Sequence, residues 1–213
     1  MPQATFSREQ LVERLAQVFR RHGYEGASMT RIAAATGLGR ASLYHHFPLG
    51  KEQMAEMVIE ATRIWFEEKV FVPLEGNQPP RQRLSAMLAV LSDYYDCGRM
   101  AGMPLVTAVC EDRDRFAESI RSFYARWIAT MTQLLTDAGL ARDIAARRAH
   151  DGVERIEGAV VVVRATSNAY AFVRMAEELP DQLLAGADRA AVWTVRNRFS
   201  PLSREPQPAR LTG

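Results

Sequence analysis

Hydrophobic residues recur every three or four positions along most of the chain, with polar residues between them. This spacing is that of an amphipathic helix. The first such stretch runs from Ser7 to about His22, and Ser7 with Gln10 has the spacing of a capping box, which marks a helix start. Gly23 is suited to end this helix. Its apolar face consists of Leu11, Leu15, Val18 and Phe19.

Two short helices joined by a tight turn are predicted next. Ser28 has the character of an N-cap for a helix that runs to about Thr36. A further helix spans about Arg40 to His46, and the Gly-Leu-Gly sequence before it supplies the turn. This arrangement is a helix-turn-helix, a unit that holds its second helix out far enough to enter a DNA major groove.

The rest of the chain is also predicted to be helical. A long helix starts near Lys51 and ends at Pro73, because proline cannot continue a helix. Its inner face is expected to consist of Met54, Met57, Val58, Ala61, Ile64 and Trp65. Later helices are expected over 81–96, 105–111, 116–139, from Asp143 onward, before Pro180, and over 188–198. No strand pair is predicted, so the fold class is all-α.

These elements divide into a head and a larger helical domain. Residues 1–50 form a helix-turn-helix DNA-binding domain. Residues 51–200 form a helical ligand-binding and dimerisation domain. The last segment, 201–213, has three prolines and little apolar content, so a disordered tail is expected.

Charge is distributed unevenly between the two parts. Residues 1–51 contain seven basic and three acidic side chains, whereas the rest of the chain contains 20 basic and 22 acidic ones. The positive charge is therefore concentrated in the head. This distribution favours a polyanionic partner, double-stranded DNA, that meets the head alone.

The chain shows no signal for export or membrane insertion. No apolar run approaches the roughly 20 residues that span a bilayer, and the start lacks a basic and then apolar leader. A cytoplasmic protein without a membrane partner is expected.

Cys97 and Cys110, the two cysteines, are then expected to be reduced thiols. A redox-sensing regulator that uses this pair is an alternative.

The head resembles a known family. The sequences SMTRIA at 28–33, GLGRASLYHHF at 37–47 and KE at 51–52 are similar to the DNA-binding head of the TetR/AcrR family of transcriptional regulators, over about residues 7–58. The form HFPLGK at 46–51 has one residue more than most members and is similar to the LmrA/YxaF-like subgroup. So is Met103-Pro104-Leu105 followed by Glu111. The resemblance implies a homodimeric regulator with a helical ligand-binding domain.

The helix-turn-helix contains the candidate DNA contacts. Arg40 starts the recognition helix, where an arginine binds guanine in a bidentate manner, although a solvated surface arginine is the alternative. Tyr44 is expected to reach a phosphate while its ring packs on the first helix. Arg31 stands where the family usually has an acidic residue, and it is expected to contact the DNA backbone. The full set is Ser28, Thr30, Arg31, Gly39, Arg40, Ala41, Ser42, Tyr44, His45, His46 and Lys51.

The second domain contains aromatic and methionine side chains at helical spacing. Such stripes are usually ordinary core, but their number and the polar groups of the tyrosines and tryptophans favour a pocket. No buried charge stands out, so a small, neutral or weakly polar aromatic effector is expected. The candidates are Trp65, Phe66, Met87, Leu91, Tyr94, Tyr95, Met103, Phe123, Trp127 and Met131.

Small and β-branched residues in the last two long helices favour a dimer interface, with packing inside one subunit as the alternative. The candidates are Gly152, Ile156, Val160, Val163, Phe172 and Val173.

No catalytic motif, cofactor motif or metal-ligand spacing is present. The favoured function is a ligand-responsive, homodimeric repressor on a pseudo-palindromic operator. A helical binding or enzymatic domain is the alternative from another class.

Overall fold

The computed structural model describes residues 6–102 and 113–188. Within these residues the chain forms eight helices of seven or more residues, two shorter helical segments and no strand, which confirms the all-α fold class. The expected helix over 105–111, nearly all of the piece over 188–198, the tail 201–213 and Met103 lie outside the described residues. The helices are α1 Arg8–Gly26, α2 Met29–Thr36, α3 Arg40–His46, α4 Lys51–Phe66, α5 Pro80–Tyr94, α6 Arg113–Asp137, α7 Arg142–Thr166 and α8 Tyr170–Leu183.

Local signals determine where α1 and α2 begin. The Ser7 hydroxyl accepts from the Gln10 backbone N–H at 3.2 Å, and the Gln10 side chain accepts from the Ser7 N–H at 3.0 Å. The predicted capping box is therefore present. Gly23 has the expected positive φ of 72°, but the chain resumes helical geometry up to Gly26. Ser28 caps α2 by accepting from the backbone of Arg31.

The first helices enclose one hydrophobic core. Gly37 ends α2 in the left-handed conformation, and its N–H donates to the Ala33 carbonyl at 2.9 Å. The start of α4 belongs to the same core, as does Phe116 of α6, whose ring meets Tyr24 edge-on at 5.2 Å. Its fully buried members include Leu11, Leu15, Phe19, Ile32, Leu43, Phe47, Met54 and Val58.

Two proline residues lie within helical segments. The chain stays helical after α4 through a π-helical turn, Glu67–Phe71, and a short α-helical segment, Val72–Leu74. Pro73 lies in the last turn of this helical run, one residue before its end at Leu74. Pro180 lies inside α8, which continues to Leu183. The end expected at Pro73 is therefore within one residue of the observed one, whereas the end expected at Pro180 was wrong.

The inner face of α4 also differs from the expected one. Ala61 and Ile64 are exposed, and Thr62 and Phe66 are buried instead. The second core begins at Phe66 and is enclosed by α5, α6, α7 and α8. No helix in the described residues is long and apolar enough to cross a membrane.

Candidate DNA-binding surface and interior cluster

The recognition helix α3 is anchored by two apolar side chains and exposes the rest of its surface. Leu43 and Phe47 are almost completely buried in the head core. Ser42 is half-buried and Lys51 is partly covered, while the remaining candidate DNA contacts are exposed. Most of the predicted contacts are therefore accessible to a partner. The exposed ones are Ser28, Thr30, Arg31, Gly39, Arg40, Ala41, Tyr44, His45 and His46.

Two of the cationic candidates are attached to the end of α1. The Arg31 guanidinium donates to the Gly26 carbonyl at 2.7 Å, which offsets the unfavourable position of a cation near the α2 N-terminus. The Lys51 ammonium donates to the Tyr24 carbonyl at 3.1 Å and lies 4.3 Å from the centre of the Tyr24 ring. Both side chains therefore hold α1 against the helix-turn-helix.

Arg40 and Tyr44 are exposed residues of α3. Among the residues that the structure describes, no hydrogen bond or ion pair holds the Arg40 side chain. Tyr44 is 49% exposed. Its ring lies beside Gly50, where an added Cβ would be 3.4 Å from the Tyr44 Cε1. The ring therefore packs on the turn before α4.

The interior candidates come together in one aromatic cluster. Phe66 lies 4.8 Å from Phe123 and 5.5 Å from Trp127, measured between ring centres. Trp65 stacks on Tyr94 at 4.5 Å. These two side chains are partly buried, and the other described candidates are buried. The buried members are Phe66, Met87, Leu91, Tyr95, Phe123, Trp127 and Met131.

A groove of about 590 Å³ borders this cluster at Trp65 and Tyr94. Its walls are α1 of the head and α4, so it lies where the head meets the second domain. The exposed side chains Ala61 and Ile64 belong to its apolar lining. The charged side chains of Arg8 and Arg20 also line it.

Glu157 is an interior residue that the sequence interpretation missed. Its Oε1 accepts from the Tyr95 hydroxyl at 3.0 Å, and its Oε2 is buried without a hydrogen-bond partner. Burial raises the pKa of the Glu157 carboxyl, and the hydroxyls of Tyr95 and Tyr124 partly oppose this effect. The expectation that no buried charge is present was therefore wrong. The signal was available, because Glu157 lies between Val153 and Val160 on the inward stripe of α7.

Burial also raises the pKa of Tyr95 and of Tyr124, and the nearby Glu157 carboxyl acts in the same direction. Both phenols therefore remain protonated donors at neutral pH. The Trp127 Nε1 is a further buried donor, and it has no hydrogen-bond partner. The interior cluster thus combines apolar rings with the polar groups of Tyr95, Tyr124, Trp127 and Glu157.

Arg20 connects the head to this cluster and was also missed. It lies on α1 and donates from Nε to the Ala101 carbonyl at 2.8 Å. It also donates from Nη2 to the Tyr94 carbonyl, and its guanidinium lies 4.1 Å from the centre of the Tyr94 ring. A side chain of the head is thereby bound to the residue that borders both the groove and the aromatic cluster.

The candidate dimer residues are mostly inside one subunit. An added Cβ at Gly152 would be 3.0 Å from Met131 Cε and 3.2 Å from Leu183 Cδ2, so this glycine allows α7 to pack closely on α6 and α8. Gly152, Ile156, Val160, Val163 and Phe172 are all buried, which corrects their assignment to a surface between subunits. Val173 alone of the six is exposed, at 42%.

Cys97 and the possible metal ligands in the described part of the chain add no further site. Cys97 is half-buried, and its Sγ lies 3.4 Å from the Ser92 hydroxyl. Cys110 lies outside the described residues. Among the side chains that the structure describes, no group of three or more His, Cys, Asp or Glu could hold a metal ion.

Two family models match the chain. Residues 9–58 match the model described as bacterial regulatory proteins, tetR family. Residues 80–178 match the model described as transcriptional regulator LmrA/YxaF-like, C-terminal domain. These matches correspond to the head with the start of α4 and to the region from α5 into α8.

Two related proteins are similar in sequence to most of the chain. The HTH-type transcriptional regulator LmrA of Bacillus subtilis is 24% identical over 181 residues, which are 83% of this chain and 96% of LmrA. YxaF of the same organism is named an uncharacterized HTH-type transcriptional regulator. It is 22% identical over 179 residues, 82% of this chain and 93% of YxaF.

Solved structures show the same fold. A TetR transcriptional regulator from Legionella pneumophila superposes with a TM-score of 0.73 at 15% identity, over 84% of this chain and 98% of that one. A second, from Chloroflexus aurantiacus, gives a TM-score of 0.70 at 25% identity, over 84% and 95%. These relatives are regulators and not enzymes, in agreement with the prediction for this chain. The chain therefore belongs to the TetR/AcrR family of transcriptional regulators, with a second domain of the LmrA/YxaF-like type.

Proposed function

We propose that this regulator is a homodimeric repressor that a small aromatic effector releases from a pseudo-palindromic operator. The head, residues 1–50, binds DNA. Residues 51–200 bind the effector and the second subunit. Because its partner is DNA, the protein acts in the cytoplasm.

Each subunit inserts α3 into a major groove, and the two grooves are about 34–36 Å apart. Arg40 reads a guanine, which its exposed position at the start of α3 supports. Tyr44, His45 and His46 contact phosphates. Arg31 and Lys51 already bind carbonyl groups of α1, so they contribute their charge to the DNA backbone while they hold the head together.

The connection through Arg20 is the observation that carries the proposal of an effector response. An effector in the aromatic cluster shifts Tyr94, whose carbonyl and ring bind Arg20 of α1. The shift moves the head relative to the second domain and changes the spacing of the two α3 helices. A coupling free energy of about 1–3 kcal/mol weakens DNA binding roughly 5- to 150-fold.

Dimerisation uses the outer faces of α7 and α8. Val161, Val162, Tyr170 and Val173 are 51%, 47%, 66% and 42% exposed. Exposed apolar side chains on two adjacent helices form a self-complementary surface around a twofold axis. This surface replaces the buried stripe that the sequence favoured.

DNA binding is tested by selecting genomic fragments with the full-length protein and measuring their affinity by fluorescence anisotropy. Arg40→Ala is expected to lose about 1–3 kcal/mol of discrimination against the wrong base. Arg147→Ala, an exposed change on α7, is the control and should bind as the wild type does. Equal preference of wild type and Arg40→Ala for the selected fragment would exclude the assigned role of Arg40. If no fragment is enriched, specific DNA binding is excluded.

The effector response is tested on the selected fragment. A collection of aromatic compounds is screened for a rise in the melting temperature of the protein, because a ligand that binds the folded state stabilises it by mass action. Stabilising compounds are then expected to release the fragment. Stabilisation without any release would exclude the ligand-responsive mechanism.

A further inference from the structure

The carboxyl of Glu157 has an incomplete set of partners in the interior cluster. Oε1 is bonded to the Tyr95 hydroxyl and the Tyr124 hydroxyl also acts on the carboxyl, but Oε2 is buried and makes no hydrogen bond of normal geometry. Among the side chains that the structure describes, no Lys, Arg or His forms an ion pair with Glu157. Buried polar groups in proteins nearly always have a partner, and a buried charge is retained only when it is compensated.

A second unpaired group lies in the same cluster. Trp127 is fully buried, but its Nε1 donates to no acceptor. The Trp127 and Tyr124 rings stack with 6.5 Å between their centres, and Tyr124 interacts with the Glu157 carboxyl. One unpaired acceptor and one unpaired donor are therefore set among aromatic rings. This combination matches a ligand that has an aromatic body, a donor and an acceptor.

The charge of the missing partner follows from the environment of the carboxyl. Burial disfavours the ionised form of Glu157, and the described surroundings contain no cation to reverse this effect. A cation within about 4–6 Å favours the ionised carboxylate. A charge-assisted hydrogen bond from such a cation is also about twice as strong as a neutral one.

We propose that the effector is an aromatic amine that is protonated at neutral pH, and that Glu157 binds its ammonium group through Oε2. The Trp127 Nε1 donates to a hydroxyl or carbonyl of the same ligand, and the surrounding rings contact its aromatic body. This inference rests on the proposed effector response and replaces the neutral ligand class expected from the sequence.

The test compares two probes of the same shape. 2-(Aminomethyl)naphthalene carries the ammonium group, and 2-(hydroxymethyl)naphthalene is its neutral counterpart. Isothermal titration calorimetry of the full-length protein at pH 7.5 measures both affinities. The amine is expected to bind the wild type roughly tenfold tighter than the alcohol, because a hydrogen bond from a charged donor is about twice as strong as one from a neutral donor. Equal affinities, or no binding of either probe, would overturn the proposal.

Substitutions identify the group responsible. Glu157→Gln is nearly isosteric and should abolish the preference for the amine while it leaves the alcohol affinity unchanged. Glu154→Gln, an exposed change one turn earlier on α7, is the control and should retain the preference. If Glu157→Gln does not fold, Glu157→Asp withdraws the carboxylate by one methylene and should weaken amine binding several-fold. A preference that survives in folded Glu157→Gln, or an unchanged amine affinity in Glu157→Asp, contradicts the proposal.

A release assay on operator DNA separates this inference from the proposed function. Amine binding that depends on Glu157 but releases no DNA would refute the effector response and leave the amine site intact. A neutral compound that releases DNA equally from wild type and Glu157→Gln, with no preference for the amine, would refute the amine site and leave the regulator intact.

Discussion

Glu157 is the residue at which the second core departs from a simple apolar interior. Its carboxyl lies among aromatic rings, and the hydroxyl of Tyr95 supplies its one hydrogen bond of defined geometry. A carboxylate in this position lowers the stability of the fold, because burial favours its neutral form. Residues that lower stability in an interior are concentrated at functional sites, which agrees with a ligand-binding role.

The raised pKa of Glu157 gives a pH-dependent prediction. Since the folded-state pKa lies above the unfolded value, Glu157 favours folding below the unfolded pKa, and this contribution is lost as the pH rises through the folded pKa. Glu157→Gln lacks this loss, so its free energy of unfolding at pH 8 is expected to exceed that of wild type. Urea denaturation from pH 4 to 8 measures the difference. A difference that grows toward pH 4 would contradict the assigned direction.

The cationic side chains of the head divide into two groups. Arg31 and Lys51 donate to carbonyl groups at the end of α1, whereas no described residue holds the Arg40 side chain. Removal of a cationic side chain that is hydrogen-bonded within the head has a different effect from removal of one that is not. We expect Lys51→Ala to lower the stability of the head as well as its DNA affinity, and Arg40→Ala to change specificity at constant stability. Thermal unfolding beside anisotropy distinguishes the two, and unchanged stability in Lys51→Ala would contradict this division.

At the scale of elements, the turn between α3 and α4 depends on Gly50. This residue precedes Lys51 and has φ 67° and ψ −141°, a conformation that is almost restricted to glycine. Gly50→Ala is expected to lower the free energy of unfolding by about 1–3 kcal/mol and to displace the Tyr44 ring. Gly39 has an ordinary φ of −67°, so Gly39→Ser is the matched control and should retain or slightly raise stability. Urea denaturation measures both, and equal stability of Gly50→Ala and wild type would disprove the requirement.

Helix starts were predictable from the sequence because they depend on nearby residues. Ser7 with Gln10, and Ser28, cap α1 and α2 through hydrogen bonds within three residues. The end of α8 was not predictable from Pro180, because packing decides it. The π-helical turn keeps Val70 and Phe71 in the second core, and α8 buries Leu179 and Leu183 on both sides of Pro180.

The candidate sites were likewise predictable where they depend on nearby residues and not where they depend on residues distant in the chain. The exposed surface of α3 follows from a local motif, so its residues could be named from the sequence. The neighbours of Glu157 and Arg20 come from helices far apart in the chain, and no local pattern specifies them. The sequence could not show whether the dimer candidates are buried inside one subunit or between two. An apolar stripe at helical spacing has the same pattern in both cases.

At the scale of the whole molecule, Arg20 is a direct connection between the head and the second domain. Lysine retains the charge but lacks the planar fork that binds both carbonyls and stacks on Tyr94. Arg20→Lys is therefore expected to speed hydrogen exchange roughly tenfold in the second half of α1 and at residues 94–101. Arg21→Lys, an exposed change beside it, is the control. Equal exchange in the two variants would show that this connection does not hold the head.

The oligomeric state determines whether two heads read one operator. In a twofold dimer built on α7 and α8, Val162 of each subunit lies in the interface, so Val162→Asp introduces two carboxylates at once. We expect the dissociation constant of the dimer to rise roughly 100-fold and the variant to sediment as a monomer. Val72→Asp changes a valine of similar exposure, 55% against 47%, outside this surface, and it should remain dimeric. Because one head contacts only half of an operator, Val162→Asp should also lose most of its operator affinity while it retains the wild-type helical content. A dimeric Val162→Asp, measured by analytical ultracentrifugation, would move the interface away from α7 and α8.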